Sequence, residues 1–133
     1  MYTFKKEERL CNKGLIDSLF HSGSSFLCYP YKASWRLVDN AGQYPVQVMF
    51  SVAKKRYKHA VDRNTIKRRS REAYRLNKQQ HLYNFLQASN KHIILSLSYI
   101  GKDIAEYDFI EKKMVKLLTQ LSEQISKVND QAV

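Results

Sequence analysis

The 133-residue sequence predicts one α+β domain, a two-layer α/β sandwich in which helices pack against a single β-sheet. Three patterns support this fold class. Apolar residues alternate with polar or small ones from Val46 to Val52, which is the period of a half-buried strand. A segment rich in Lys and Arg lacks helix breakers over most of its length, and the C-terminal third carries a broad apolar stripe at helical spacing. The predicted order is helix, strands, helix, strand, helix.

The first half of the chain predicts one short helix followed by β-structure. The helix runs from about Lys13 to Phe20 and ends before Gly23, which suits a C-terminal cap. A β-like stretch covers roughly Phe26 to Val38. The residues that share one face of this stretch are Tyr31, Ala33, Trp35 and Leu37. Asp39 to Gly42 is a turn signal, because Asn and Gly tolerate the left-handed conformations that tight turns need.

The second half predicts a basic helix, a strand and a final helix. The basic helix covers about His59 to Leu76 or a few residues more, and Ile93 to Ser98 reads as a strand. The final helix begins near Asp103. Its apolar stripe consists of Tyr107, Ile110, Met114, Leu117, Leu118, Leu121, Ile125 and Val128. A stripe of this kind with mixed surface charge is typical of core packing, so we assign it no ligand role.

The basic segment carries most of the net charge of +11. Between Lys54 and Lys78 there are eleven Lys or Arg and two acids. The cations that recur at intervals of four form one ladder on the predicted helix: Arg63, Lys67, Arg71 and Arg75. Like charges at that spacing destabilise an isolated helix, and a polyanion across the ladder would relieve the repulsion while releasing its own counterions. The pattern therefore indicates a nucleic-acid partner.

A helical wheel predicts which side of the basic helix packs on the sheet. The side opposite the ladder carries Val61, Thr65, Ile66, Ala73 and Leu76. The ladder side also carries Asn64, Arg68, Ser70 and Tyr74. Arg69 falls among the apolar positions, so we expect its guanidinium to extend out to solvent or to find a partner such as Asp62.

The sequence offers no pattern for catalysis by the protein alone. The four His residues fall on four different elements, no Cys–His spacing matches a zinc site, and the four Gly residues form no phosphate-binding loop. No apolar run is long enough to span a membrane, and the N-terminus lacks the pattern of a signal peptide. Cys11 and Cys28 are therefore expected to be free thiols. These observations predict a cytoplasmic RNA- or DNA-binding module without its own active site.

The segment from Phe50 to Arg75 closely resembles the protein subunit of bacterial ribonuclease P. Its family pattern is Ser/Thr-Val-x-Lys-Lys, then Ala-Val-x-Arg-Asn-Arg-Ile-Lys-Arg, then Arg-Glu. The matching residues here are Ser51-Val52-Ala53-Lys54-Lys55, Ala60-Val61, Arg63-Asn64, Ile66-Lys67-Arg68 and Arg71-Glu72. Two positions depart from the family pattern. Thr65 replaces the second Arg of the Arg-Asn-Arg triplet, and Ile16 replaces one of two aromatics that are usual four residues apart in the N-terminal helix.

The resemblance implies both a fold and a function for residues 1–133. The implied fold is α-β-β-β-α-β-α, with helices packed on a four-stranded sheet and an unusual left-handed β-α-β crossover, against the right-handed rule. In this family the RNA subunit is the catalyst and cleaves the 5′ leader from precursor tRNA. The Mg²⁺ that this reaction needs is bound mainly by the RNA, and we expect none to be bound by the protein alone. The implied partners are the catalytic RNA and the 5′ leader, with no membrane and no obligate protein partner.

The resemblance and the charge pattern together give two sets of candidate site residues and no catalytic or metal-binding residue. The candidate contacts with the catalytic RNA are Lys54, Lys55, Arg63, Asn64, Lys67, Arg68, Arg71 and Arg75. The candidates for a leader-binding cleft between the N-terminal helix and the sheet are Phe20, Tyr31, Trp35 and Ser51. Core packing is an equally good interpretation of Tyr31 and Trp35.

Two other interpretations of the basic helix remain open, and a third is disfavoured by its small apolar residues. A structural RNA-binding module of the ribosomal-protein kind would carry the same helix and have no role in cleavage. A DNA-binding regulator would need base-reading side chains, and the ladder cations favour backbone contact instead. A membrane-surface or calmodulin-target helix would need bulky apolar residues, and those opposite the ladder are mostly small.

Overall fold

The computed structural model describes residues 3–39 and 43–131 of the chain. Its elements are α1 (Lys13–Ser22), β1 (Ser24–Cys28), β2 (Tyr31–Val38), β3 (Val46–Val52), α2 (Ala60–Lys78), α3 (Asn84–Ala88), β4 (His92–Tyr99) and α4 (Tyr107–Gln131). A 3₁₀ turn, Lys6–Glu8, precedes α1, and a π-helical turn, Gln79–Tyr83, joins α2 to α3. The predicted fold class, α+β with helices on a four-stranded sheet, is confirmed.

The four strands form one mixed sheet in the order β1-β2-β4-β3. The pairs β1–β2 and β2–β4 are antiparallel, while β3 and β4 are parallel. A parallel pair cannot be closed by a hairpin, so the chain crosses from the end of β3 to the start of β4 through α2 and α3. The left-handedness of this crossover stays a prediction of the family resemblance.

The basic helix ends at Lys78, within the expected range of Leu76 or a few residues more. Two boundaries differ from the sequence-based expectation. The β-like stretch from Phe26 to Val38 is a hairpin that turns at Tyr29–Pro30, where the peptide bond is cis. The last helix begins at Tyr107 because the Tyr99 hydroxyl holds the preceding segment in another conformation. It donates to the carbonyl of Asp103 at 2.6 Å and accepts from the amide of Ala105 at 3.1 Å. The predicted turn at Asp39 to Gly42 lies mostly outside the described residues.

The sheet separates two apolar clusters, because successive side chains of a strand point to opposite faces. On β4, Ile93, Leu95 and Leu97 belong to the large core beneath α2 and α4. Ile94 packs instead with Leu10 and Leu19 on the other face, where α1 lies. Helix α1 packs on this second face against β2 and β4, and beyond it Lys32 of β2 is exposed on the same face.

Residues 3–10, which we call the N-terminal strap, are held against α2 and β3 by a buried ion pair. Glu8 is fully buried and pairs with the ammonium group of Lys78, which also donates to the carbonyl of Thr3. The Tyr83 hydroxyl donates to the same carboxylate at 2.6 Å. Burial lowers the pKa of Lys78, and the hydrogen bond to Glu8 offsets part of that effect. Lys78, which counts toward the basic segment in the sequence, is thus a structural residue.

The strap also covers part of the outer edge of β3. The amide of Leu10 donates to the carbonyl of Val48 at 2.9 Å, and Arg9 forms a parallel bridge with the same residue. The ring of Phe4 packs edge-on against Phe50 and Tyr74, at centroid distances of 6.3 and 5.9 Å. These contacts fix the strap beside α2.

We expect Lys78→Met to lower the free energy of unfolding by about 3 kcal/mol, because it leaves the Glu8 carboxylate buried without its cation. Guanidinium chloride unfolding measures this change. The exposed Lys112→Met is the matched control and should leave the midpoint unchanged. The double variant Glu8→Gln/Lys78→Met should recover part of the loss, since it removes both charges. Equal stability of Lys78→Met and Lys112→Met would contradict a stabilising role for this ion pair.

Candidate RNA interface

Helix α2 is rotated relative to the orientation that the helical wheel predicts. Its buried residues are Ile66, Ser70, Ala73, Tyr74 and Lys78. Ser70 and Tyr74 were expected beside the cations, and they lie in the core instead. Val61 was expected against the sheet, and it is 75% exposed. The prediction for these three residues is wrong. Ser70 and Tyr74 can be buried because their hydroxyl groups have hydrogen-bond partners in the core. Ser70 bonds to Tyr31 and to the carbonyl of Ile66, and Tyr74 donates to the Tyr83 hydroxyl.

The predicted cation ladder does not form one straight outward row. Each step of four residues advances about 40° beyond a full turn, so the ladder winds from the buried edge of α2 toward solvent. Arg63, at the buried end, donates to the carbonyls of Tyr57 and Lys58, at 2.9 Å each. Arg71 is exposed. Arg75 forms an ion pair with Glu72, with Nε 3.1 Å from a carboxylate oxygen.

The other predicted cations are also distributed unevenly. Lys54 and Lys55 are exposed in the turn after β3, and Lys67 is half-buried. Arg69 donates to the carbonyl of Ala105 at 2.7 Å, so a backbone oxygen, rather than Asp62, is its partner. The cations of the basic segment therefore divide into those that hold the fold together and those that are available to a ligand.

The available groups of α2 surround a shallow groove of about 420 Å³. The groove is lined by Val61, Asn64, Thr65, Arg68 and Arg71, and we call this set the α2 surface. Among residues 3–39 and 43–128, no hydrogen-bond or ion-pair partner is found for the side chains of Arg68 and Arg71. Thr65 donates its hydroxyl to the carbonyl of Val61 at 2.9 Å, so it adds no cation to the groove. The two guanidinium groups and the Asn64 amide, for which the described residues offer no partner, can bind phosphates from one side.

Tyr31 and Trp35 do not line a cleft, and this part of the sequence-based prediction is wrong. They are 1% and 3% exposed, respectively, and belong to the core beneath α2 and α4. The Trp35 indole donates to Gln124 of α4 at 3.2 Å. Burial raises the pKa of the Tyr31 phenol. Core packing, the alternative that the strand pattern left open, is the observed state of both residues.

The open part of the second sheet face is floored by two rows of side chains, which we call the cleft floor. One row, across β2, β4 and β3, consists of Lys32, Ser98 and Ser51. The next consists of Ser34, Ser96 and Met49. Ser51 lies on this face, with its hydroxyl 2.9 Å from that of Ser98, and its role in a leader-binding cleft stays a prediction. Within the described residues, the buried hydroxyl of Ser96 has no hydrogen-bond partner.

Helix α1, which contacts β2 and β4 on this face, carries Phe20, which is 60% exposed. Ile16, one turn earlier, packs with the cluster of Leu10, Leu19 and Ile94 and so anchors α1 to the sheet. The sequence-based prediction did not include Lys32 and Ser34, although the strand pattern contains a signal for them. Because they alternate with Tyr31 and Trp35 along β2, identifying the buried face of this strand also identifies the opposite face.

Three further observations limit the chemistry of the protein. In the part of the chain that the structure describes, no group of three or more His, Cys, Asp or Glu side chains could hold a metal ion. Cys11 is an exposed free thiol, and Cys28 is a buried one. None of the described helices is long and apolar enough to cross a membrane.

Comparison with known proteins identifies the family. The family model Ribonuclease P matches residues 4–122. The ribonuclease P protein component of Porphyromonas gingivalis is 34% identical over 122 residues, which cover 91% of this chain and 88% of that protein. The component of Chlorobium phaeobacteroides is 34% identical over 128 residues, with coverages of 87% and 86%.

Solved structures share the fold. The RNase P protein of Thermotoga maritima is similar with a TM-score of 0.67 and 21% identity, covering 85% of this chain and 96% of that one. The RNase P protein of Staphylococcus aureus gives 0.60 and 21%, covering 91% and 96%. The resemblance carried by the basic segment is confirmed by sequence matches over most of the chain, and the chain belongs to the ribonuclease P protein family.

Proposed function

We propose that this protein is the subunit of ribonuclease P that binds the catalytic RNA and the 5′ leader of precursor tRNA. It promotes the Mg²⁺-dependent endonucleolytic removal of the leader, which gives the mature 5′ end of the tRNA. The phosphodiester is hydrolysed by the RNA subunit, and the Mg²⁺ ions belong mainly to that RNA. The protein works in the cytoplasm and needs no membrane and no other protein subunit.

The observation that carries this proposal is the α2 surface, together with family membership. Arg68 and Arg71 lie on an exposed helix face and have no described carboxylate partner. Arginine suits this role because its planar guanidinium forms paired hydrogen bonds with phosphate oxygens. Asn64, in the same groove, can donate to a phosphate or a sugar hydroxyl. The exposed Lys54 and Lys55 extend the positive charge toward the end of β3.

The remaining predicted contact residues differ in how available their side chains are to RNA. Lys67 is half-buried and can reach RNA with its ammonium group. Arg63 and Arg75 are engaged with carbonyls and with Glu72, respectively. They contribute positive potential, and their direct phosphate contacts are expected to be weaker than those of Arg68 and Arg71.

The cleft floor supports binding of a single-stranded leader. Single-strand sites combine a stacking platform with a basic, hydrogen-bonding groove. Phe20 provides an exposed aromatic ring, and Lys32 provides a cation beside the Ser98–Ser51 pair. Hydroxyl groups can donate to or accept from base edges and sugars. A leader held there would stay single-stranded, instead of base-pairing elsewhere, while the catalytic RNA cleaves the precursor tRNA.

The direct test is multiple-turnover cleavage of a precursor tRNA by a bacterial ribonuclease P RNA, with and without this protein. At millimolar Mg²⁺ the protein should raise the rate, because added phosphate contacts compensate for lower cation concentrations. The double variant Arg68→Ala/Arg71→Ala should stimulate less than the native protein. Equal rates with and without native protein would refute the proposal and favour a purely structural RNA-binding module.

Salt dependence measures the number of phosphates contacted. If about six are engaged, log affinity should fall against log salt with a slope near −4 to −5. Arg68→Ala/Arg71→Ala should reduce the steepness by about 1.5, since each contact contributes roughly 0.7 to 0.9. Lys112→Ala/Lys116→Ala on α4 removes the same charge from two exposed residues and is the control. Identical slopes for the two double variants would show that the α2 surface is not the main phosphate contact.

Phe20→Ala should weaken binding of precursor tRNA selectively, because base stacking contributes about 1–3 kcal/mol and mature tRNA has no leader. Phe109→Ala is the matched control, since Phe109 is another exposed phenylalanine and lies on α4. Affinities of the reconstituted enzyme for precursor and mature tRNA would be compared. An equal loss for the two RNAs would place the role of Phe20 outside leader binding.

A further inference from the structure

A second groove lies where the N-terminal strap crosses the outer edge of β3. It has a volume of about 230 Å³, and its walls include Phe4, Arg9, Cys11, Met49, Phe50 and Arg71. The strap supplies Phe4 and Arg9, Cys11 follows the strap directly, and β3 and α2 supply the others. We call this feature the strap groove. It combines apolar and aromatic walls with two guanidinium groups and no acidic side chain.

The two cations of the strap groove are not neutralised within the described residues. The neighbouring acid of the strap, Glu8, points into the core and is bound by Lys78 and Tyr83. Arg9 therefore faces the groove without its neighbour's charge, and its guanidinium lies over the Phe4 ring at 5.6 Å from the centroid. Arg71 has no partner among the described side chains. Glu7 is the exposed acid of the strap, and it does not line the groove.

The position of the groove connects the two surfaces described above. Arg71 lines both the strap groove and the groove of the α2 surface. Met49 lines the strap groove and also belongs to the cleft floor. Helix α2 and the cleft floor lie on opposite faces of the sheet, so a ligand that touches both must pass over a sheet edge. The strap groove provides such a passage at β3.

We infer that the strap groove binds one nucleotide of an RNA strand, with its phosphate between Arg9 and Arg71 and its base against the apolar wall. This inference rests on the proposed function. The groove is small, about 230 Å³, and therefore has room for no more than one nucleotide unit. Addition of a peptide strand to the β3 edge is disfavoured there, because Arg9 and Leu10 already bridge and hydrogen-bond to the backbone of Val48.

The chain contains its own reporter for this site. Cys11 is exposed and lines the strap groove, whereas Cys28, the second cysteine, is buried. Alkylation of Cys11 by iodoacetamide, followed by mass spectrometry of the full-length native protein, therefore measures occupancy. The nucleotide can come from the catalytic RNA or from the precursor tRNA. The arms are the protein alone, with catalytic RNA, and with catalytic RNA plus either precursor or mature tRNA.

We expect bound RNA to slow alkylation of Cys11 at least fivefold. Protection by catalytic RNA alone assigns the nucleotide to that RNA, and protection that appears only with precursor tRNA assigns it to the leader. Arg9→Ala should restore fast alkylation at saturating RNA and weaken affinity by about tenfold, the effect of one charge-assisted hydrogen bond. Lys6→Ala, an exposed cation of the same strap that does not line the groove, should do neither.

Two outcomes overturn the inference. One is an unprotected Cys11 in a complex that cleaves precursor tRNA at the stimulated rate, which leaves the proposed function intact. The other is protection that persists in Arg9→Ala at saturating RNA, which assigns the shielding to neighbouring contacts. A failure of the native protein to stimulate cleavage would instead count against the proposed function, so the two failures are distinguishable.

Discussion

The packing of one face of α2 against the sheet determines which cations of the basic segment can meet a ligand. Ile66, Ala73 and Tyr74 are fully buried, and each large apolar side chain contributes about 1.5–3 kcal/mol. Repulsion between neighbouring like charges on a helix costs only a few tenths of a kcal/mol per pair. Burial of the apolar side chains therefore determines the rotation of α2 about its axis, and the exposure of each cation follows from that rotation. Arg68 and Arg71 are left exposed, whereas Arg63 and Lys78 bind groups of the protein itself.

The sequence predicted the helices and strands well but the rotation of α2 poorly, because the first depend on local patterns and the second depends on contacts between distant residues. Strand alternation and helical stripes depend on local periodicity, which a sequence displays directly. The rotation of α2 depends on polar residues that are buried because distant partners satisfy them. Ser70 meets Tyr31 from 39 positions earlier, and Lys78 meets Glu8 from 70 positions earlier. A helical wheel has no access to such pairs and assigns polar side chains to solvent.

The candidate cleft shows the same limit at the level of one strand. The family resemblance implied a cleft on the sheet; Ser51 is partly exposed on the second sheet face, and Phe20 is 60% exposed on α1. The prediction for Tyr31 and Trp35 is wrong because adjacent residues of a strand point to opposite faces of the sheet. The face of β2 that carries these aromatic residues is the one that packs in the core. The face left for a ligand carries hydroxyl and amino groups instead.

The N-terminal strap gives the buried Glu8–Lys78 pair a significance beyond stability. A buried ion pair is weak evidence of stabilisation, because desolvation of both charges offsets much of their attraction. What this pair does is fix position: it directs Glu8 inward, while Arg9 stays exposed at the edge of β3 and lines one groove with Arg71 of α2. A flexible strap would lose conformational entropy whenever a ligand ordered it, whereas a strap already held by the fold avoids that cost. Under the proposal that the strap groove binds RNA, the ion pair would favour binding through pre-organisation, although both of its charges are buried.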